Sequence, residues 1–460
     1  MPERSEKAAK PLRALSLVDA IALVVGIVVG AGIFKAPAIV ASGAGKPSTV
    51  LLLWLAGGAA SFVGALCYAE LVTTYPHPGG EYHYLMRAYG RHPAFLYAWS
   101  RLAVLQTGSI ALLAFVFGDY ASRLLRLPEG SSSAILAAGL IVVLTGINFL
   151  GLKEGKWAQE ILTTTEVLGL LLVVVCGFAV AAPPAAGPLV APEAAAPPTA
   201  AIGHALVFVL LTYGGWSEAA YISAEMRGDR RNLAWALLWG VALVTGIYLL
   251  VNAAYLRGLG LPAMARSGAV AADLLERWLG QAGAGLVSLF VAISAVTSAN
   301  GTILTGARAS YALGSDFRIF RALGRWRGRA DTPGNALLVQ GLISLALVGL
   351  GAFTRSGFAT MVEYTAPVFW AFLFLVGIAL IVLRVRDPGA RRPFRVPLYP
   401  AVPLLFCATC VYLLWSSVAY TGLGALVGIA VLAAGVPVLA WAERRGENPE
   451  AGPGQPVKRS

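Results

Sequence analysis

Residues 26–34 read GIVVGAGIF and residues 208–220 read FVLLTYGGWSEAA. Each stretch sets glycines inside an otherwise apolar run: Gly26, Gly30 and Gly32 in the first, Gly214–Gly215 in the second. Glycine destabilises a helix interior by about 1 kcal/mol relative to alanine. In a lipid setting such glycines have two readings. They let neighbouring helices approach closely, or they mark an unwound point whose freed backbone groups face a cavity. Either stretch alone reads as packing. Together they read as two breaks, because each opens one of two groups of five apolar segments. Interrupted helices at matching positions of two halves point to a transporter's substrate site. The half-helix that begins after GAG offers amides and a positive dipole end to a carboxylate. The carbonyls around Leu211, Thr212 and Gly214 accept hydrogen bonds from an ammonium group. One site for both charges describes a zwitterionic α-amino acid.

The rest of the chain is consistent with lipid as its solvent. Of 460 residues, 58% are hydrophobic and only 13% charged, with mean hydropathy +0.72. Soluble domains carry about a quarter charged residues. A span needs about 20 mainly apolar residues, which predicts about twelve transmembrane helices: 16–41, 48–74, 93–121, 132–150, 157–181, 202–226, 231–256, 281–313, 335–353, 360–386, 399–419 and 421–442. The net charge of +12 does not indicate nucleic acid, because the basic residues sit in short segments between apolar runs. Those segments alternate: the even-numbered connections and both ends hold most of the Lys and Arg, among them RIFRALGRWRGR and RVRDPGARRPFR. The positive-inside rule then puts both termini in the cytoplasm of a multi-pass inner-membrane protein. The first apolar run reads as a retained span, since no small-residue cleavage site follows it.

Organisation follows from the same pass. Residues 1–15 and 443–460 form polar tails around a transporter domain, 16–442. Within it, 16–181 and 202–386 are the two five-helix groups, joined by a Pro/Ala-rich connector, and 399–442 holds two peripheral helices. Residues 266–280 predict a short amphipathic helix.

Five stretches carry a resemblance: GIVVGAGIF, CYAELVTTYPHPGGEYHYLMRAYG, YGGWSEAAYISAEMRGDRRN, SANGTILTGARASYALGSD and RPFRVPLYP. In this order they resemble the amino acid–polyamine–organocation (APC) superfamily of permeases, especially bacterial amino-acid permeases and L-type amino-acid transporters. The resemblance implies an all-α LeuT-type fold, two inverted five-helix repeats with helices 1 and 6 broken. It implies a substrate carboxylate at Gly30, Ala31 and Gly32, and an amine at Leu211, Thr212 and Gly214. It also implies secondary active transport of amino acids by alternating access, with polyamines or other organic cations as the alternative cargo. The family often has a large aromatic gate at the position of Leu211; leucine leaves a looser lid.

The other chemistry rests on single residues. Glu166, deep in span five, stands where many relatives resemble one another in having a lysine that braces span one. An ionisable group at that depth is a functional hypothesis by default. It is read either as a proton-coupling site or as a neutral acid bonded to backbone. Ser294, Thr297 and Ser298 share one face of span eight, and either help bind sodium or bond to their own helix. Lys35 is expected to line the outer vestibule with Glu363 as counter-ion, and Glu218 to take part in inner gating. Glu166 is read as the one deep carboxylate apart from Glu218. His77, Glu81 and His83 lie in a turn whose spacing fits no metal motif. No phosphate-binding loop and no nucleophile–base set is present, so neither ATP-driven transport nor an enzyme is expected, and no cofactor. Cys67, Cys176, Cys407 and Cys410 read as apolar fillers. The connection SRLLRLPEGSS lacks the cysteine by which animal L-type relatives attach a heavy chain, so no disulfide-linked partner is expected.

Overall fold

Lipid offers no partner for a backbone amide or carbonyl, so a chain this apolar must cross the membrane as helices that satisfy their own polar groups. The computed structural model describes residues 17–77, 79–128, 131–151, 156–179, 198–222, 230–327, 332–354, 356–419 and 422–444. Among them the only extended pairing is a single bridge between Arg327 and Thr332. Nine helices among the described residues are long and apolar enough to cross a membrane. Three further spans complete the expected twelve: the interrupted spans one and six, and Lys156–Ala179 as span five. The side chains of span five are described only from Leu168 onward. The side chain of Glu166 therefore lies outside the described residues.

Boundaries follow local chemistry. Pro47 opens span two, Pro47–Thr74, in the first turn, where a missing amide costs nothing. Gly280 has φ +64° and separates the amphipathic helix that begins at Val270 from span eight, which runs on to Asp316. A helix the sequence did not announce, Gly80–Tyr89, lies between spans two and three.

Spans one, two, six and seven pack on one another, and spans three, four, eight and nine form a second group. Small residues bring the first group together. A Cβ on Gly57 in span two would sit 2.3 Å from Val209 in span six, and one on Gly240 in span seven 2.5 Å from Val24 in span one. Span ten packs against spans three, eleven and twelve.

Candidate functional site

Span one is a helix from Leu17 to Val28, then extended backbone at Gly30 (φ −143°, ψ 178°), then a 3₁₀ turn Ala31–Phe34 and a second helix Ala36–Ala44. Gly26 stays inside the first helix, so the unwinding belongs to Gly30 and its neighbours. A Cβ on Gly30 would meet nothing within 4 Å. Close helix packing is therefore not what Gly30 serves. The first amides of a helical turn have no partner within that turn, so Ala31 and Gly32 present theirs beside this space.

Span six is a helix from Pro198 to Thr212, then the Tyr213–Gly215 turn, a 3₁₀ turn Trp216–Glu218 and a short helix Ala219–Ile222. Gly215 has φ +99°, a conformation that favours glycine. The two breaks meet. A Cβ on Gly32 would lie 3.4 Å from the Thr212 Cγ2 and 3.5 Å from its Oγ1. The Tyr248 hydroxyl, from span seven, reaches the carbonyl of Val28 at 3.1 Å and that of Thr212 at 3.2 Å. These are the last carbonyls of the two half-helices, where the dipoles favour a cation.

The acceptor set differs in one respect from its expected form. The Leu211 carbonyl already accepts the Gly214 amide at 3.0 Å, which closes the turn, and the Thr212 carbonyl faces Tyr248. A carbonyl has two lone pairs, so each keeps one for a ligand. Replacing Tyr248 by phenylalanine removes the donor that both half-helix ends share. The expected cost is about 1–3 kcal/mol, measured as a lower thermal midpoint in detergent.

Residues 15–434 match the family described as Amino acid permease. The human protein named b(0,+)-type amino acid transporter 1 is 32% identical over 403 residues, covering 87% of this chain and 81% of its own. The mouse protein named Large neutral amino acids transporter small subunit 2 is 30% identical over 433 residues, covering 92% and 80%.

The chain belongs to the amino acid permease family.

The charges of this permease sort into two faces. On the face opposite the arginine-rich connections, Lys35 pairs with Asp119 of span three at 2.5 Å and donates to the Gly268 carbonyl. Glu363, the expected counter-ion, instead faces His204 at 3.9 Å. The 3₁₀ turn Ala31–Phe34 lies against span three, where Tyr120 donates to the Phe34 carbonyl at 2.8 Å, and Lys35 follows that turn directly. Arg123 pairs with Asp273 and Glu276 on the same face.

On the basic face, Arg101 grips Glu218 with two hydrogen bonds, 3.1 and 2.9 Å. Two further carboxylates, near the end of span two and on the helix after it, are buried. Glu70 is 1% exposed, accepts from Arg384 and from the Val396 amide at 2.7 Å, and forms an ion pair with Arg392 at 3.4 Å. Glu81 is 6% exposed and accepts from Tyr68, Tyr97 and Tyr221. Glu81 therefore turns away from His77 and His83, whose rings stack at 4.0 Å. Burial, with His77 and Arg87 close by, lowers His83 to about 4, so its ring is uncharged at neutral pH. Among the described residues no group of three His, Cys, Asp or Glu could hold a metal ion.

On span eight, Thr297 donates to its own helix at Ile293, 2.9 Å, Ser294 is buried, and the Ser298 carbonyl accepts from Thr302. The four cysteines are buried and unpaired.

Proposed function

We propose that this permease is a secondary carrier that moves amino acids across the plasma membrane by alternating access. The observation that carries the reading is the meeting of the two breaks: Gly32 against Thr212, and one tyrosine hydroxyl at both half-helix ends. The substrate carboxylate binds at the amides of Gly30, Ala31 and Gly32, and its ammonium at the carbonyls of Leu211, Thr212 and Gly214. The names of the two relatives, both amino-acid transporters, support this substrate class over polyamines.

The basic face is cytoplasmic, by the positive-inside bias of its connections, and both termini lie there. Transport is proton-coupled or is amino-acid exchange. Glu166 is the coupling residue in the first case, and sodium at Ser294, Thr297 and Ser298 is the less favoured coupling ion. The carrier works without a disulfide-linked partner chain, because the connection between spans three and four holds no cysteine.

Uptake of labelled amino acids into proteoliposomes tests the reading, with an inward proton gradient, sodium or internal amino acid added in turn. Uptake under at least one condition supports it, whereas uptake of organic cations alone overturns it. In the proton-coupled case, Glu166→Gln abolishes the pH dependence of uptake, and an unchanged pH profile removes Glu166 from the mechanism.

A further inference from the structure

The charged cluster on the cytoplasmic side contains one guanidinium and two carboxylates, drawn from elements that separate when the carrier opens inward. Arg101 belongs to span three, at a π-helical turn, Arg101–Leu105, a feature that often marks functional sites. Glu218 and Tyr221 belong to the inner half of span six. Glu81 lies on the helix Gly80–Tyr89, next to Tyr68 of span two and Tyr97 of span three. One hydroxyl separates the arginine from the second carboxylate: Tyr97 Oη accepts from Arg101 Nη1 at 3.4 Å and donates to Glu81. Arg101 also lies over the Tyr221 ring, 4.3 Å from its centroid. Its Nε is buried without a hydrogen-bond partner.

We propose that Arg101 exchanges partners as the cytoplasmic gate opens, leaving Glu218 as span six withdraws and taking Glu81 instead. The proposal rests on the carrier reading above. In the closed arrangement Glu81 is held in reserve by three hydroxyls, one of which, from Tyr221, leaves with span six. Burial raises the Glu81 carboxyl above its usual range, with Arg101 and the Tyr68 and Tyr97 hydroxyls pulling it down and Glu218 pushing it up. Withdrawal of span six removes both the burial and the like charge, so Glu81 becomes a better partner as Glu218 becomes unavailable. The exchange keeps Arg101 paired in both states. An unpaired buried arginine would hold the gate shut or unfold it.

The two carboxylates then have opposite effects on the gate. Ser217, at the start of the inner half of span six and 5% exposed, is the reporter position. Ser217→Cys is labelled with a membrane-impermeant maleimide in inside-out vesicles, against the parent as background. Amino acid must first change the labelling rate of Ser217→Cys itself; if it does not, the carrier reading fails, whatever the partner exchange does. Glu218→Gln weakens the closed state and raises labelling by about tenfold, the factor for one charged hydrogen bond. Glu81→Gln weakens the open state and lowers labelling by a similar factor. A rise with Glu81→Gln, or no change, overturns the exchange and makes Glu81 a brace of the closed gate or a bystander. If Glu81→Gln does not yield monodisperse protein, Glu81→Asp keeps the charge but shortens its reach by a methylene. The same fall supports the exchange and the same rise overturns it.

Discussion

Gly30→Val abolishes transport without unfolding the protein. The backbone at Gly30 is extended, with φ −143°, which valine adopts readily. A Cβ there meets nothing within 4 Å, so the side chain starts into open space, and the expected stability is within about 0.5 kcal/mol of the parent. The new methyls instead fill the space beside the Ala31 and Gly32 amides, where the proposed site puts the substrate carboxylate. Losing two charged hydrogen bonds, each worth about 1.5–3 kcal/mol, lowers uptake at subsaturating substrate by roughly 100-fold or more. Gly30→Ala gives an intermediate loss. The measurement is initial uptake rate together with thermal midpoint in detergent. Normal uptake by Gly30→Val would move the substrate away from the span-one break.

The second large effect is on stability. Glu70→Ala leaves Arg384 and Arg392 facing each other over an empty carboxylate position, with side-chain exposures of 18% and 8%. It also strands the Val396 amide. Removing one partner of a buried ion pair costs about 3–5 kcal/mol, and Glu70 holds span two to the end of span ten, at Arg384, and to the loop that follows it, at Arg392 and Val396. The expected result is a large fall in thermal midpoint and in monodisperse yield. Removing Arg384 as well, in Glu70→Ala/Arg384→Ala, recovers part of the loss, because fewer buried charges are left unpaired. A double variant less stable than Glu70→Ala would show that the Arg384 contact with Tyr399, 3.9 Å from ring centroid, dominates instead.

The spans and the two breaks were legible because they depend on local properties. Length and hydropathy decide where a helix can cross, and glycines decide where it can stop. Even the Gly280 kink falls where the amphipathic pattern ends. Charge partners were not legible, because they are chosen by elements distant in the chain. Lys35 was expected to meet Glu363, but the turn before it lies against span three, and Asp119 of that span is its partner. Glu81 was read as part of a turn, yet it lies on a helix that turns it toward tyrosines from three different spans. The run RPFRVPLYP was recognisable as a motif but not as chemistry until Arg392 and Val396 met Glu70. The second bond at Leu211 was not legible either: its carbonyl also closes the turn by accepting the Gly214 amide.

Tyr248 carries one phenolic proton for two carbonyls, so Val28 and Thr212 compete for it. An ammonium group brings three donors and ends the competition. The ammonium then supplies the acceptor that the phenol leaves, a bond usually worth about 1 kcal/mol. In the proposed reading, cargo therefore ties the two half-helix ends to each other more firmly than the phenol does alone.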